Sequence, residues 1–587
     1  MRNRWLQFLL LTNVVGFAFF MYVSNGHDWD FFLSLMEVDY RTWMVDGSIP
    51  MWSYQLCGGI SRAGDPQAFG LSPLIVWVLA FGSFWGTKAL IVFCMLMGWW
   101  FTKQTLALLV LGEPIEANDS SERESHLLLW VVAQMFVLSN FFLWHLHLGH
   151  VSFCLFYLGI GLLYLTLKAW LGTFRWFHWV GGILLGWSYY SAALFQSTLY
   201  FLIPLYLSMG LLLLGQGALF LSKGSSLRPW FRTLGLMLGF HVIGLAIGIY
   251  KLVYLFQYQA QFPRSLPLHQ TEYGSIWGML KGQLLPSWNF RFLGTWNGTG
   301  AYPFVWEQSL LNLCAWGLLL FGIYRLVSFV RKQDNRLVMP AAHKPFILGI
   351  SVYAVVVFLF ALGEWAGWLP HSLLRKALGG GIRVIHRYEI GFVLILTCTL
   401  AFVLRWDVQF RKLFATYLAI PCLLLVGGNF FLFSAGSSRG LAGELSRVSS
   451  ASTSKKSRMT QVAFTRPRDF HSYMYMPLLN NFGVLNCYNP MRSERWIQKQ
   501  LRRQGVPLYN KAGKLIRYRL RKPVFSLVDT HHYKPPSSCV KGSYYSQQAI
   551  HLDPSCPRKL CLNVSQMNLY RKTEFKFDVK HQKYCRE

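Results

Sequence analysis

Apolar stretches of about 20 residues recur along the chain from its N-terminus to about Ser434, and polar loops separate them. Each stretch is long enough to cross a bilayer as a helix, which takes about 20 residues. The pattern predicts about eleven transmembrane helices, over residues 5–23, 86–111, 126–143, 150–171, 178–195, 198–222, 229–255, 308–329, 344–364, 388–405 and 412–434. A shorter apolar run, residues 71–84, is predicted to be re-entrant or interfacial.

Composition supports a membrane protein. Of the 587 residues, 53% are hydrophobic, 17% are aromatic and 14% are charged. Soluble domains carry about 25% charged residues. Residues 5–23 follow a basic MRNR, and no small-residue cleavage site follows them, so we expect a retained helix rather than a cleaved signal peptide. The predicted fold class is therefore an all-α polytopic membrane protein over residues 1–434.

The basic residues between the predicted helices indicate an orientation. With the N-terminus in the cytoplasm, cytoplasmic loops receive the basic clusters, as the positive-inside rule requires. These clusters are Lys168 and Arg175; Lys223, Arg228 and Arg232; Arg331, Lys332 and Arg336; and Arg405, Arg411 and Lys412. The first loop (24–85), the loops 256–307 and 365–387, and the tail then lie outside. If one helix is miscounted, most readily at the boundary near Gln196, the orientation of every later segment is reversed.

The tail beyond residue 434 has a different composition. Residues 435–587 hold 28 of the Lys and Arg against 8 Asp and Glu, a large part of the net charge of +31. Residues 435–458 have the Gly/Ser/Lys-rich composition of a flexible linker. Residues 459–587 contain short runs in which apolar and polar residues alternate as they do in strands, which predicts a basic α+β or β-rich extracytoplasmic domain. Such a charge favours an anionic partner, and an outside location excludes nucleic acid. Its five cysteines favour disulfides in an oxidising compartment.

The first outer loop is rich in acids. Four of them fall within a dozen residues: Asp28, Asp30, Glu37 and Asp39. Ionisable groups close to lipid are costly and often functional. The structural alternative for Asp28 or Asp30 is capping a helix that begins near Phe31. Glu37 and Asp39, with Arg41, are expected on the solvated face of an interfacial helix.

The same loop carries a recognisable series of residues, D-W-D…G-S-I-P-M-W…C-G-G…D-P-Q…S-P. Its members are Asp28 or Asp30, Gly47, Pro50, Trp52, Gly58, Gly59, Asp65, Pro66, Gln67 and Pro73. This series resembles the first outer loop of YfhO-like bacterial membrane proteins, of the GT-C class of polytopic glycosyltransferases. Shorter resemblances follow in order at Gly149-His150, at Leu285-Pro286, at Tyr302 with Glu307, at IRVIHRY with Arg383 and Arg387, and at NNFGVLNCYNP.

The resemblance implies an enzyme of the bacterial inner membrane. GT-C enzymes take a sugar from a polyprenyl-phosphate donor and pass it to an acceptor at the outer membrane face. YfhO-like members are associated with cell-surface polymers, so a glycan, polymer or lipid acceptor is expected, anionic if the basic tail binds it. The resemblance also implies that Asp65, Gln67, His150 and Glu307 contribute to substrate binding. For Asp65 a simple turn before proline is an equal alternative, and for Glu307 a structural ion pair is.

Sugar transfer needs a base for the acceptor hydroxyl and positive charge for the departing phosphate. Asp28 and Asp30 are the candidate bases, because partial desolvation moves a carboxyl pKa towards neutrality. Two residues at i and i+2 face the same way in a loop or strand but not on a helix. Arg383 and Arg387, at i and i+4, are the candidate phosphate ligands. Their structural alternative is anchoring to lipid head groups.

Three further interpretations stay open. His145, His147 and His150 lie within six residues, so a divalent metal is a candidate cofactor, although no metal ligand set is assigned. A transporter or lipid flippase predicts charges in mid-membrane and paired broken helices; the charges here fall mostly at span ends. A non-enzymatic scaffold of envelope assembly predicts that changing both Asp28 and Asp30 to Asn leaves function intact.

Overall fold

A computed structural model defines the fold. It describes residues 28–53, 60–65, 67–111, 120–147, 149–171, 173–192, 198–222, 228–261, 313–330, 344–363, 368–377 and 385–415, together with eight short strands between residues 461 and 586. Several predictions lie outside these residues: the first transmembrane helix, most of the eleventh, the linker, Gly58, Gly59, Pro66, Glu307 and Arg383.

The described chain is mostly helical. Its helices are α1 Asp28–Met44, α2 Val76–Leu111, α3 Ser120–Val137, α4 Asn140–His147, α5 Leu155–Trp170, α6 Trp176–Tyr190, α7 Ile203–Ser222, α8 Arg228–Ile247, α9 Ile249–Gln261, α10 Leu313–Val330, α11 Lys344–Ala361, α12 Pro370–Ala377, α13 Glu389–Trp406 and α14 Val408–Leu413. Short 3-10 turns at Pro73–Ile75, Val151–Cys154 and Ile385–Tyr388 lead into α2, α5 and α13.

Five helical segments of the described chain are long and apolar enough to cross a bilayer. They are Pro73–Val110, Val151–Trp170, Tyr200–Leu219, Trp230–Ile247 and Glu389–Trp406. Leu127–Val137 and Ile347–Ala361 are apolar but shorter. The described chain therefore fits a helical membrane protein, whereas the number of eleven spans stays a prediction.

Some boundaries differ from the predicted ones. The run 71–84 and the second predicted span follow one another in α2 without a loop, and a kink at Gly82 (φ 76°) separates two helical segments. The third predicted span is interrupted between α3 and α4, and the seventh is interrupted at Gly248 between α8 and α9. Hydropathy does not register these interruptions, because the residues on both sides of each are apolar.

The helices pack around α2, α5 and α13. Glycines permit close approach: a Cβ on Gly98 of α2 would lie 2.6 Å from the Tyr157 side chain of α5. The Tyr157 hydroxyl donates to the Val137 carbonyl at 2.6 Å, so α5 is also tied to α3. Small residues and interhelical hydrogen bonds of this kind hold helices together in lipid, because the hydrophobic effect does not drive helix association there.

Helix α1 is buried instead of lying on a solvated face. Residues 31–39 of α1 are all buried, and the Asp39 side chain is fully inaccessible to solvent, with Glu37 at 5%. The expectation of a solvated face for Glu37 and Asp39 was wrong. Phe32, Leu35 and Met36 share a face with Asp39 at helical spacing, so that carboxylate faces protein.

The strands are short. β1 Trp52–Ser53 and β2 Ile60–Ser61 form an antiparallel pair in the first loop. In the tail, β3 Gln461–Phe464 pairs in parallel with β4 Gly483–Val484 and β7 Phe525–Val528, and β5 Leu508–Tyr509 pairs with β6 Leu515–Ile516. The antiparallel order β8–β10–β9 joins Cys561–Asn563, Lys583–Arg586 and Phe575–Asp578, with Cys585 opposite Cys561. An independent tail domain stays a prediction.

Candidate functional site

The first turn of α1 lies against the turn that precedes α5. Asp28 already lies in α1, three residues before the expected start at Phe31, so the helix includes both Asp28 and Asp30. Residues two apart on a helix are about 200° apart around its axis. The two acids therefore do not share a face, and one of them at most serves a given cavity.

Gly149 makes the contact with this turn. It has a φ of +91°, and a Cβ there would collide with the Trp29 backbone nitrogen and lie 2.6 Å from the Trp29 Cα. Only glycine provides both the left-handed conformation and the space. The Gly149-His150 pair thus sits directly on the backbone between Asp28 and Asp30.

His150 belongs to a stack of rings. Its Nδ1 lies 2.7 Å from Nδ1 of His145, so one of the two nitrogens carries the proton between them. The His145 ring stacks on Phe153 with centroids 3.7 Å apart, and the His150 ring lies 5.4 Å from the same phenyl ring.

Arg387 contacts the Phe153 ring of this stack. Its guanidinium carbon lies 5.3 Å from the Phe153 ring centroid and 5.6 Å from that of Tyr200. Cation–π contacts of this length hold the charge in place. Its Nε is buried and has no hydrogen-bond partner among the described residues. A buried donor without a partner is uncommon in proteins and needs an explanation, such as a bound ligand, ion or water.

Tyr388 fixes the segment that carries Arg387. Its side chain is fully buried, and its hydroxyl lies 3.1 Å from Nδ1 of His371 on α12. Its ring contacts Tyr200 and Phe360 at centroid distances of 5.0 and 5.2 Å. The segments around residues 28, 149, 200 and 387, which the charge pattern assigns to one side of the membrane, therefore meet. We refer to Gly149, His150, Phe153, Tyr200 and Arg387 as the aromatic site.

Asp65 and Gln67 lie elsewhere, beside the C-terminal half of α1. The Asp65 carboxylate accepts from Arg62 Nη1 at 3.1 Å and from the Gln67 backbone N–H at 2.9 Å. These contacts favour the turn role that was the alternative for Asp65. Gln67 Oε1 is buried and lacks a hydrogen-bond partner within the described residues. Substrate binding by either residue stays a prediction.

Arg62 is the centre of a buried ionic cluster, which we define as Asp39, Arg62, Asp65 and Lys251. Arg62 donates to both carboxylate oxygens of Asp39, Nε at 2.9 Å and Nη2 at 2.7 Å. Lys251 of α9 donates to the backbone carbonyls of Asp65 and, at 3.4 Å, Ala68. The four residues close the first loop over α1.

Burial raises the pKa of one carboxyl group in this cluster. Desolvation raises the pKa of the Asp39 carboxyl above its usual range, and the Arg62 guanidinium acts against that shift. Sequence reasoning missed Arg62 and Lys251, because neither stands in a motif. Asp39 was detectable from the helical period of its apolar neighbours.

Four predicted site residues are described only in part or not at all. Arg383 and Glu307 lie outside the described residues, and only the backbone positions of Asp28 and Asp30 are defined. Among the described side chains, no group of three His, Cys, Asp or Glu is arranged to hold a metal ion. Neither a protein-family profile nor a curated protein matches this chain.

Proposed function

We propose that the chain is a membrane glycosyltransferase of the GT-C type. It transfers a sugar from a polyprenyl-phosphate donor to a glycan, polymer or lipid acceptor at the outer face of the bacterial inner membrane. The observation that carries the proposal is Arg387, whose buried Nε has no partner among the described residues. It lies one ring away from His150, beside the turn of α1 that contains Asp28 and Asp30.

The aromatic site supplies what phosphate binding requires. Guanidinium keeps its charge when buried and binds phosphate oxygens through its N–H edge. Phe153 and Tyr200 hold it by its face, an arrangement that leaves N–H donors for a ligand. Arg383, one helical turn earlier in the sequence, is the expected second phosphate ligand.

The base is Asp28 or Asp30. Because the two residues do not share a helix face, the proposal assigns the proton transfer to one of them. In the proposed reaction the carboxylate of that residue accepts the proton of the acceptor hydroxyl as the sugar is transferred. His150, next to the contact with Trp29, is suited to bind the sugar or its acceptor.

The wider architecture belongs to the same proposal. It comprises eleven spans, a cytoplasmic N-terminus and a basic extracytoplasmic domain at residues 459–587. The four connections that meet at the aromatic site support the proposed alternation of the spans, since the charge pattern assigns all four to the same side of the membrane. The basic domain suits an anionic acceptor.

Polyprenyl phosphate is the best probe, because every donor of this class releases it. We expect Arg387→Gln to weaken its binding to the purified full chain at least tenfold, and Arg387→Lys to weaken it less. Arg405→Gln is the matched control: Arg405 lies in the last turn of α13, about 27 Å from Arg387 along the helix axis. Equal binding by the Arg387→Gln and Arg405→Gln proteins would refute the phosphate site.

Transfer itself is tested with Asp28→Asn, Asp30→Asn and the double variant, in cells whose envelope polymers are analysed for sugar. One single variant and the double variant should lose about 10²–10⁴-fold in rate, as removal of a general base does. A scaffold would tolerate all three variants, and that result would end the transferase proposal.

A transporter or flippase is the second candidate, and one observation favours it. His241 lies inside the candidate span Trp230–Ile247, and hydroxyls surround its ring: Tyr206 at 2.8 Å, Tyr190 at 3.0 Å and Thr166 at 3.1 Å. Buried titratable groups in a span often mark transport pathways. His241→Phe should abolish a transport activity, whereas the transferase proposal expects sugar transfer to continue.

A further inference from the structure

A cavity between α2, α5 and α6 lies apart from the aromatic site. Its volume is about 1000 Å³, at the upper end of the range for ligand pockets. Apolar side chains line most of it, including Phe93 and Met97 of α2, Leu158 and Leu165 of α5, and Leu184 and Leu185 of α6. Leu184 is 52% exposed, so the cavity opens on the outer surface of the helices, where lipid lies.

The length of the cavity matches one leaflet of a bilayer. On α6 its lining runs from His178 to Ser188, and on α5 from Leu158 to Lys168. Ten residues of helix span about 15 Å, which is half of the roughly 30 Å hydrocarbon core. The Ser188 end is tied to the first loop, because Ser72 Oγ donates to the Ser188 carbonyl at 2.9 Å.

The opposite end of the cavity is basic. Lys168, Arg175 and His178 line it there, and the lining contains no acidic side chain among the described residues. The Arg175 backbone N–H donates to His178 Nδ1 at 2.7 Å, which fixes the turn between α5 and α6. Trp176, beside this end, is 77% exposed, as expected of an aromatic residue at the membrane interface.

We propose that this cavity is a binding site for an anionic glycerophospholipid. One acyl chain lies between α2, α5 and α6, and the phosphate of the head group is bound by Arg175 and Lys168. Basic pockets between transmembrane helices bind anionic head groups in this manner. The charge pattern puts this end on the cytoplasmic side, opposite the aromatic site, so the lipid is neither donor nor acceptor.

Gly181 offers a direct way to fill the cavity. It lines the cavity, and a Cβ on it would meet nothing within 4 Å. Gly181→Trp therefore places an indole in the space of the acyl chain without a backbone collision. Gly235→Trp is the matched control, since a Cβ on Gly235 of α8 also meets nothing within 4 Å and this residue does not line the cavity.

For the test, the full chain is reconstituted in nanodiscs of phosphatidylglycerol and phosphatidylcholine. Native mass spectrometry of the protein released from the nanodiscs then measures which lipid it retains. Phosphatidylglycerol should be retained by the unmodified, Gly235→Trp and Arg387→Gln proteins. Gly181→Trp should reduce its retention at least tenfold, and Lys168→Gln with Arg175→Gln should remove the preference over phosphatidylcholine.

Three results would overturn the proposal. One is equal retention by the Gly181→Trp and Gly235→Trp proteins. Another is an unchanged lipid preference in the Lys168→Gln/Arg175→Gln protein. The third is full displacement of the lipid by inorganic phosphate, which would indicate an anion site without an acyl chain. Comparable melting temperatures of the two tryptophan variants establish that both proteins are folded. None of these three lipid results bears on the proposed sugar transfer, which its own assay tests.

Discussion

At the scale of single residues, Gly149 determines how α1 meets the rest of the bundle. Its left-handed backbone and its contact with Trp29 leave no space for a side chain. The resemblance includes this glycine with His150, but no local sequence pattern explains why the residue is glycine. The reason is a contact between residues 120 positions apart in the chain.

Gly149→Ala should therefore destabilise the protein by more than backbone strain alone. Left-handed conformation costs a non-glycine residue about 1–2 kcal/mol, and here the collision with Trp29 adds to it. Gly47→Ala is the control, because Gly47 has a φ of +60° but open space around its Cβ. Thermal unfolding in detergent measures both. A Gly149→Ala protein no less stable than Gly47→Ala would show that α1 does not pack as described.

The ionic cluster also depends on single residues. Its Asp39–Arg62 pair is buried to 0% and 1% exposure, so each charge depends on its partner. Removing one partner of a buried pair typically costs about 3–5 kcal/mol, while replacing both with apolar residues costs much less.

Asp39→Leu and Arg62→Met should each destabilise the chain strongly. The double variant should lose less unfolding free energy than the sum of the losses in the two single variants. We expect a coupling of about 1–3 kcal/mol in the double-mutant cycle, the range for contacting groups. Unfolding in denaturant measures it. Asp46→Asn, at an exposed position just after α1, should change stability by less than about 0.5 kcal/mol. Additive effects at Asp39 and Arg62 would contradict the pair.

At the scale of elements, the packing of α6 on α8 depends on small residues. Gly186 and Gly244 face each other, and a Cβ on Gly244 would lie 2.9 Å from the Gly186 Cα. Close approach of two helix backbones allows dispersion contacts to accumulate along both. The same contact keeps His241 of α8 within reach of Tyr190 of α6.

Gly244→Leu should force α6 and α8 apart and lower the melting temperature of the purified chain. Gly235→Leu, on the open side of α8, should leave it close to that of the unmodified chain. The energetic difference is expected at about 1–3 kcal/mol, the usual cost of overpacking. Equal melting temperatures for the two variants would rule out the close contact.

At the scale of the whole molecule, the orientation in the membrane decides whether the aromatic site faces outward. Ser48 follows α1 and Ser222 ends α7, and both are exposed. The charge pattern assigns Ser48 to the outer side and Ser222 to the cytoplasmic side.

A recognition site for a specific protease inserted after Ser48 should be cleaved in intact cells stripped of their outer layers. The same site inserted after Ser222 should be cleaved only once the membrane is permeabilised. Fragment sizes on a gel give the answer directly. Cleavage after Ser222 in the intact cells would reverse the orientation and remove the proposed outer-face reaction.

The sequence by itself determined the class of fold and several helix boundaries. Val151–Trp170 and Glu389–Trp406 fall within a residue or two of the spans expected over 150–171 and 388–405. Hydropathy is a local property that each segment carries whatever its neighbours are, so it can be read without knowing the fold. The basic clusters at the ends of spans are local in the same sense.

Only the tertiary structure decided which residues meet. It joined Arg387 to Phe153 and Tyr200, closed the first loop by a bond from Lys251 to Asp65 over 186 positions, and buried Asp39. It also included both Asp28 and Asp30 in α1, which separates the two residues around the helix axis. These outcomes depend on packing between segments distant in the chain, and a side chain's sequence neighbours contain no record of that packing.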